Sequence, residues 1–154
     1  MRFTDADLAA CCASRRWVAA LAGRPYRDLD ELRAAGVAAL DDLDWPDVIE
    51  ALAEHPRIGD RVDGWSRVEQ SGMDGTAPDV RAALVDGNRA YEERFGHVFL
   101  ICATGRGAAG MLGDLRARLA NDTATERAVV RRELTKIVEL RLAKLVDRTR
   151  GSAR

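Results

Sequence analysis

Arg141, Glu69 and His55 are the side chains whose settings invite chemistry. Leu134, Ile137, Val138, Leu142 and Leu145 recur at helical spacing, and at about 100° per residue Arg141 falls within their stripe. A guanidinium keeps its charge, so on a buried stripe it needs an anionic or carbonyl partner. That partner is either internal, an ion pair or a snorkelled contact at the core edge, or an oxygen of a bound substrate. Trp65, Val68, Glu69 and Met73 share one face of a short predicted helix, so Glu69 also lies among apolar residues. Burial there makes Glu69 an acceptor held for a ligand, or the partner of an arginine such as Arg141. Gln70 beside it offers both a donor and an acceptor. His55 stands at a predicted helix end, where the dipole favours imidazolium, and Pro56 fixes the backbone that aims the ring. One histidine, one glutamate and one arginine could form an acid/base site without a cofactor. On residue types alone, a structural role for each is the competing reading.

Other chemistries find little support. Gly105-Arg106-Gly107-Ala108-Ala109-Gly110 fits GxGxxG after an apolar run, as in a dinucleotide-binding turn. No second strand follows it, and the expected acidic residue would fall inside the final helix. His55 and His97 are the two histidines, with no HExxH and no cysteine at ligand spacing, so no metal site is expected. No GxSxG elbow is present for a serine nucleophile. Lys136, among charged neighbours, reads as a solvated surface lysine.

The elements that must position these residues read as helices. Thr4 with Asp7 makes a capping box for a first short helix, and Ser14 caps a second over Arg15 to Leu21. Asp28 opens a third, weakened by Gly36. Asp44 opens a fourth with Pro46 in its first turn, ending near His55 because Pro56 disfavours helical geometry before it. After the polar connection Gly59 to Gly64 come the short helix Trp65 to Met73 and a longer one from Pro78 to Phe95-Gly96. His97 to Ala103 is the only β-like run, and one run cannot make a sheet. Ala108 to Leu119 is helical. Thr123 with Glu126 forms a capping box for the longest helix, to about Val146, and the tail from Arg148 is expected to fray. The expected class is all-α: one domain of about seven or eight helices with a single short extended segment.

Composition agrees with that class. The chain has 154 residues, 47% hydrophobic and 32% charged, which suits one globular domain. Twenty-four basic residues against twenty-five acidic ones leave a formal charge of -1, unlike the basic face of a nucleic-acid binder. No apolar run approaches the roughly 18 residues of a membrane span, and no apolar signal core follows Met1-Arg2. Cys11, Cys12 and Cys102 are an odd number without CxxC spacing, so a reduced intracellular protein is expected. The final residues Gly-Ser-Ala-Arg are no peroxisomal signal, and the expected location is the cytoplasm.

Several ordered motifs carry a family resemblance. His55-Pro56-Arg57-Ile58-Gly59, Trp65-Ser66-Arg67-Val68-Glu69-Gln70, Asn88-Arg89-Ala90-Tyr91 through Arg94-Phe95-Gly96, and Phe99-Leu100-Ile101-Cys102-Ala103 resemble OHCU decarboxylase. This is the 2-oxo-4-hydroxy-4-carboxy-5-ureidoimidazoline decarboxylase of urate breakdown. Leu134-x-Lys136-Ile137-x-x-Leu140-Arg141-Leu142 belongs to the same pattern, and Cys11-Cys12-x-Ser14-Arg15-Arg16-Trp17 resembles its bacterial branch. The resemblance covers nearly the whole chain. One departure is the segment between Gly59 and Trp65, shorter than usual, at the rim of the expected pocket.

The resemblance implies an all-helical fold and cofactor-free decarboxylation of OHCU to (S)-allantoin and CO2. It implies that His55 is the catalytic acid/base, with Glu69 and Arg141 as the polar partners holding substrate. It also makes Pro56, Ser66, Arg67, Val68, Gln70 and the backbone of Phe99, Leu100, Ile101, Cys102 and Ala103 a binding wall. An extended backbone would leave N–H and C=O groups free for a ureido-imidazoline. His55 could act on the 4-hydroxyl or reprotonate the ring. The resemblance suggests a homodimer and functional coupling to urate oxidase and hydroxyisourate hydrolase, although no surface seam is evident. A catalytically silent helical adaptor is the rival reading. It gives no use to three unusual polar placements.

Overall fold

The computed structural model describes residues 1–58 and 77–152. Every regular element among them is an α-helix: α1 (Asp5–Cys11), α2 (Arg15–Leu21), α3 (Leu29–Asp41), α4 (Trp45–Leu52), α5 (Pro78–Phe95), α6 (Ala108–Arg118) and α7 (Thr123–Ser152). The expected all-α class holds for these residues. The short helix predicted over Trp65 to Met73 lies outside them. None of the described helices is long and apolar enough to cross a membrane. Packing divides the chain into two units, Met1–Glu54 with Thr135–Arg154, and His55–Leu134.

In the first unit the local signals act as the sequence implies. Thr4 Oγ1 accepts the Asp7 N–H and Asp7 Oδ2 accepts the Thr4 N–H, each at 3.1 Å, closing the capping box of α1. Ser14 Oγ accepts the Trp17 N–H at 3.3 Å and starts α2. Asp28 Oδ1 accepts the Glu31 N–H at 2.8 Å at the head of α3. Gly36, a weak point by propensity, is required by packing. A Cβ there would sit 3.0 Å from Leu142 Cδ1, and its carbonyl accepts the Trp17 indole N–H at 2.9 Å. Close approach of α2 and α3 thus outweighs about 1 kcal/mol of lost helix propensity. Helix α4 stops at Leu52, three residues before His55.

In the second unit α5 packs on α6. Pro78 opens α5 where its missing N–H costs nothing, and Gly96 closes it in the left-handed region at φ 80°. Ile58, Leu84, Tyr91, Phe99, Ile101, Met111 and Leu115 form one buried apolar cluster. Helix α7 does not use the predicted Thr123–Glu126 box. Asp122 Oδ1 accepts the Thr125 N–H at 2.7 Å and is the cap, while Glu126 is drawn into the interior. The helix also runs through Ser152, beyond the expected end near Val146.

Two glycines make the packing testable. A Cβ on Gly87 in α5 would collide with the Leu115 Cδ2 methyl, whose side chain is fully buried. On Gly113 in α6 it would meet nothing within 4 Å. Gly113→Ala is therefore expected to stabilise by about 0.4–1 kcal/mol. Gly87→Ala gains the same propensity but incurs an overpacking cost of about 1–3 kcal/mol. Thermal unfolding followed by circular dichroism should move the two midpoints in opposite directions.

Candidate active site

His55 begins a turn that the second unit anchors at Arg57 and Ile58. The ring is half-buried, and Pro56 follows it. Arg57 Nε and Nη2 donate to the two carboxylate oxygens of Glu92 in α5, at 2.7 and 3.1 Å. Ile58 is buried among Leu84, Tyr91, Phe99 and Ile101, and its carbonyl accepts from Asn88 Nδ2 at 3.3 Å. The magnitudes rank these anchors. Burying Ile58 contributes about 1.5–3 kcal/mol, the Asn88 bond about 1, and the half-exposed Arg57 pair about 0.2–1. Apolar burial holds the turn, and the polar bonds set its direction against α5.

The β-like run does not become a strand. Residues 98–103 belong to neither helix nor sheet, with Phe99, Leu100, Ile101 and Ala103 buried and Cys102 half-buried. The Phe99 ring meets Tyr91 edge-on, with centroids 5.3 Å apart. Three main-chain groups expected to be free are engaged by the protein itself. The Leu100 carbonyl accepts from Arg118 Nη1 at 2.7 Å, the Cys102 N–H donates to Glu133 Oε1 at 3.1 Å, and the Ala103 carbonyl accepts the Arg106 N–H at 3.0 Å. The cause is general, because a buried backbone without a ladder must find partners elsewhere.

Behind this segment lies a buried polar cluster that the sequence reading does not contain. Glu126, fully buried, accepts from Tyr91 Oη and Arg118 Nε, each at 2.7 Å, and from Asn121 Nδ2 at 3.1 Å. The Arg118 guanidinium carbon sits 4.4 Å from the Phe99 ring centre. Burial, and then the bond to Glu126, pushes the Tyr91 hydroxyl pKa well above its ordinary value, so it stays a donor. A signal for these residues was present. Continued towards its start, the stripe of Arg141 passes through Leu134, Glu133, Val130 and Glu126, all buried. Arg118 stands in the same relation to Met111 and Leu115 on α6.

Arg141 belongs to the first unit. It is buried on α7 with Leu134, Ile137, Val138, Leu142 and Leu145, as the periodicity requires. Its Nη1 lies 3.5 Å from the Ala10 carbonyl, at the outer limit of a hydrogen bond. Burial pushes the Cys11 thiol up to about 12 and the Cys12 thiol up to about 11, with the charge of Arg141 pulling each back only in part. Both thiols are protonated at neutral pH and supply no nucleophile. Of the other predicted site residues, His55, Pro56 and Phe99 to Ala103 fall in the second unit. Ser66, Arg67, Val68, Glu69 and Gln70 lie outside the described residues. The glycine-rich turn leads into a helix, with Gly107 at the N-cap of α6 and Arg106 paired with Asp114 within that helix.

Comparison with known proteins agrees with this architecture. The chain is 29% identical over 155 residues to the uric acid degradation bifunctional protein TTL of Arabidopsis thaliana, covering 94% of this chain and 48% of that protein. It therefore spans about half the length of that relative. It is 29% identical over 133 residues to the 2-oxo-4-hydroxy-4-carboxy-5-ureidoimidazoline decarboxylase of Haloferax volcanii, covering 82% of this chain and 79% of that one. A crystal structure of OHCU decarboxylase in the presence of (S)-allantoin superposes with a TM-score of 0.85 at 30% identity, covering 93% of this chain and 98% of the other. The sequence model of OHCU decarboxylase matches residues 2–143, and the chain belongs to that family.

Proposed function

We propose that this chain is a carboxy-lyase that converts 2-oxo-4-hydroxy-4-carboxy-5-ureidoimidazoline to (S)-allantoin and CO2. The observation that carries the reading is the family match over residues 2–143. The anchored His55 turn and the buried Arg141 supply the residue types the reaction needs.

The chemistry asks little of a cofactor. The bond from C4 to its carboxylate breaks, and the electron pair enters the conjugated ring imine as CO2 departs. The 4-hydroxyl becomes a carbonyl, the ring carbon bearing the ureido group gains a proton, and one proton is taken up overall. The protein must turn the carboxylate out of the ring plane, desolvate it and control that proton. In this reading Arg141 and Glu69 hold the ring and its ureido arm, and His55 moves the proton. Pro56, Ser66 to Gln70 and Phe99 to Ala103 form the walls. The bifunctional name of the plant relative supports coupling of this chain to the other enzymes of urate degradation; the homodimer is what the family resemblance alone implies.

The test generates OHCU in place from urate with urate oxidase and hydroxyisourate hydrolase. Adding this protein should accelerate loss of the OHCU absorbance. In a thermal-shift assay allantoin should raise the midpoint by mass action and NAD should not. An unchanged rate of OHCU loss overturns the reading.

A further inference from the structure

We propose that Glu133 and Arg118 are positioning residues that set the backbone of Phe99 to Ala103 for substrate, an inference resting on the functional reading above. Two opposite charges grip this segment two residues apart. Arg118 Nη1 donates to the Leu100 carbonyl at 2.7 Å, and Glu133 Oε1 accepts the Cys102 N–H at 3.1 Å. Both side chains are more than nine-tenths buried. Neither is a simple filler, because an apolar residue of similar volume is often as stabilising as a buried ionic group.

The grip is itself held. Glu126 fixes the Arg118 guanidinium through Nε, and Tyr91 Oη and Asn121 Nδ2 donate to the same carboxylate. The same guanidinium lies over Phe99, so one group constrains both the ring of residue 99 and the carbonyl of residue 100. Helices α5, α6 and α7 thus each contribute a side chain to the register of a segment that has no ladder of its own. A backbone so constrained presents its remaining groups at defined angles, which is what recognition of a small planar molecule needs.

A positioning role predicts a pattern of kinetics distinct from loss of fold. Binding lost equally in ground and transition states raises KM and spares kcat. Glu133→Ala is expected to raise the KM for freshly generated OHCU at least about tenfold, the effect of losing a charged hydrogen bond, with kcat within about twofold. Glu133→Gln keeps an acceptor oxygen of the same reach and should recover most of the loss. Arg118→Lys keeps the charge beside Glu126 but not the planar fork, and should give the same split even where Glu133→Ala fails to fold. A wild-type KM in the folded variants, with only a lower thermal midpoint, overturns the proposal. Inactive wild-type protein instead defeats the functional reading on which it rests.

Discussion

Arg141→Lys should lower kcat/KM for OHCU by a factor of tens to hundreds while leaving the fold intact. The side chain is buried on the apolar stripe of α7, flanked by Ile137, Val138, Leu142 and Leu145. In a dry setting a charged hydrogen bond is worth more than in water, and a planar guanidinium can grip two oxygens where an ammonium grips one. Lysine keeps the charge and loses the fork. The expected cost is about 2–4 kcal/mol of transition-state stabilisation, converted at about 1.4 kcal/mol per tenfold. Steady-state kinetics beside a thermal melt separates the alternatives. A near-native kcat/KM, with any loss confined to the melting temperature, makes Arg141 a structural residue held for the Ala10 carbonyl.

Local signals were legible wherever local chemistry decides the outcome. The boxes and caps at Thr4, Ser14 and Asp28, the proline at the head of α5 and the glycine at its end all act as read. The buried stripe around Arg141 follows from spacing alone. What escaped are the places where tertiary demand overrides a local rule. Glu126 satisfies a capping-box spacing yet serves Tyr91 and Arg118 in the interior, leaving Asp122 to cap the helix. Gly36 violates helix propensity because Trp17 and Leu142 approach it. The backbone of residues 99–103 carries no local sign of its partners, yet residues 18 and 31 positions away claim part of it. Long-range pairing of this kind leaves no periodic trace at the segment being paired. It leaves one on the partner helices, as charged residues recurring on an apolar face.

The His55→Asn substitution should abolish stereochemical control together with rate enhancement. OHCU is expected to decay unaided, and protonation from bulk water on either face gives racemic allantoin. A single asymmetric centre forms at the protonated ring carbon, so the hand of the product reports where the proton came from. His55 can serve one face because the turn it begins is anchored at Arg57 and Ile58. Arg57 is tied to Glu92, Ile58 is buried in the core, and Asn88 holds the Ile58 carbonyl. Asparagine preserves a polar group of similar reach but neither takes nor gives a proton near neutral pH. With OHCU generated in place, wild-type protein should produce a strong circular-dichroism signal from (S)-allantoin, and the variant should return slow decay with none. The far-ultraviolet helical spectrum should match in the two proteins. Wild-type protein giving racemic product at the spontaneous rate would defeat the decarboxylase reading itself. A His55→Asn variant with full rate and a full signal would leave the reaction in place and move the proton to another group.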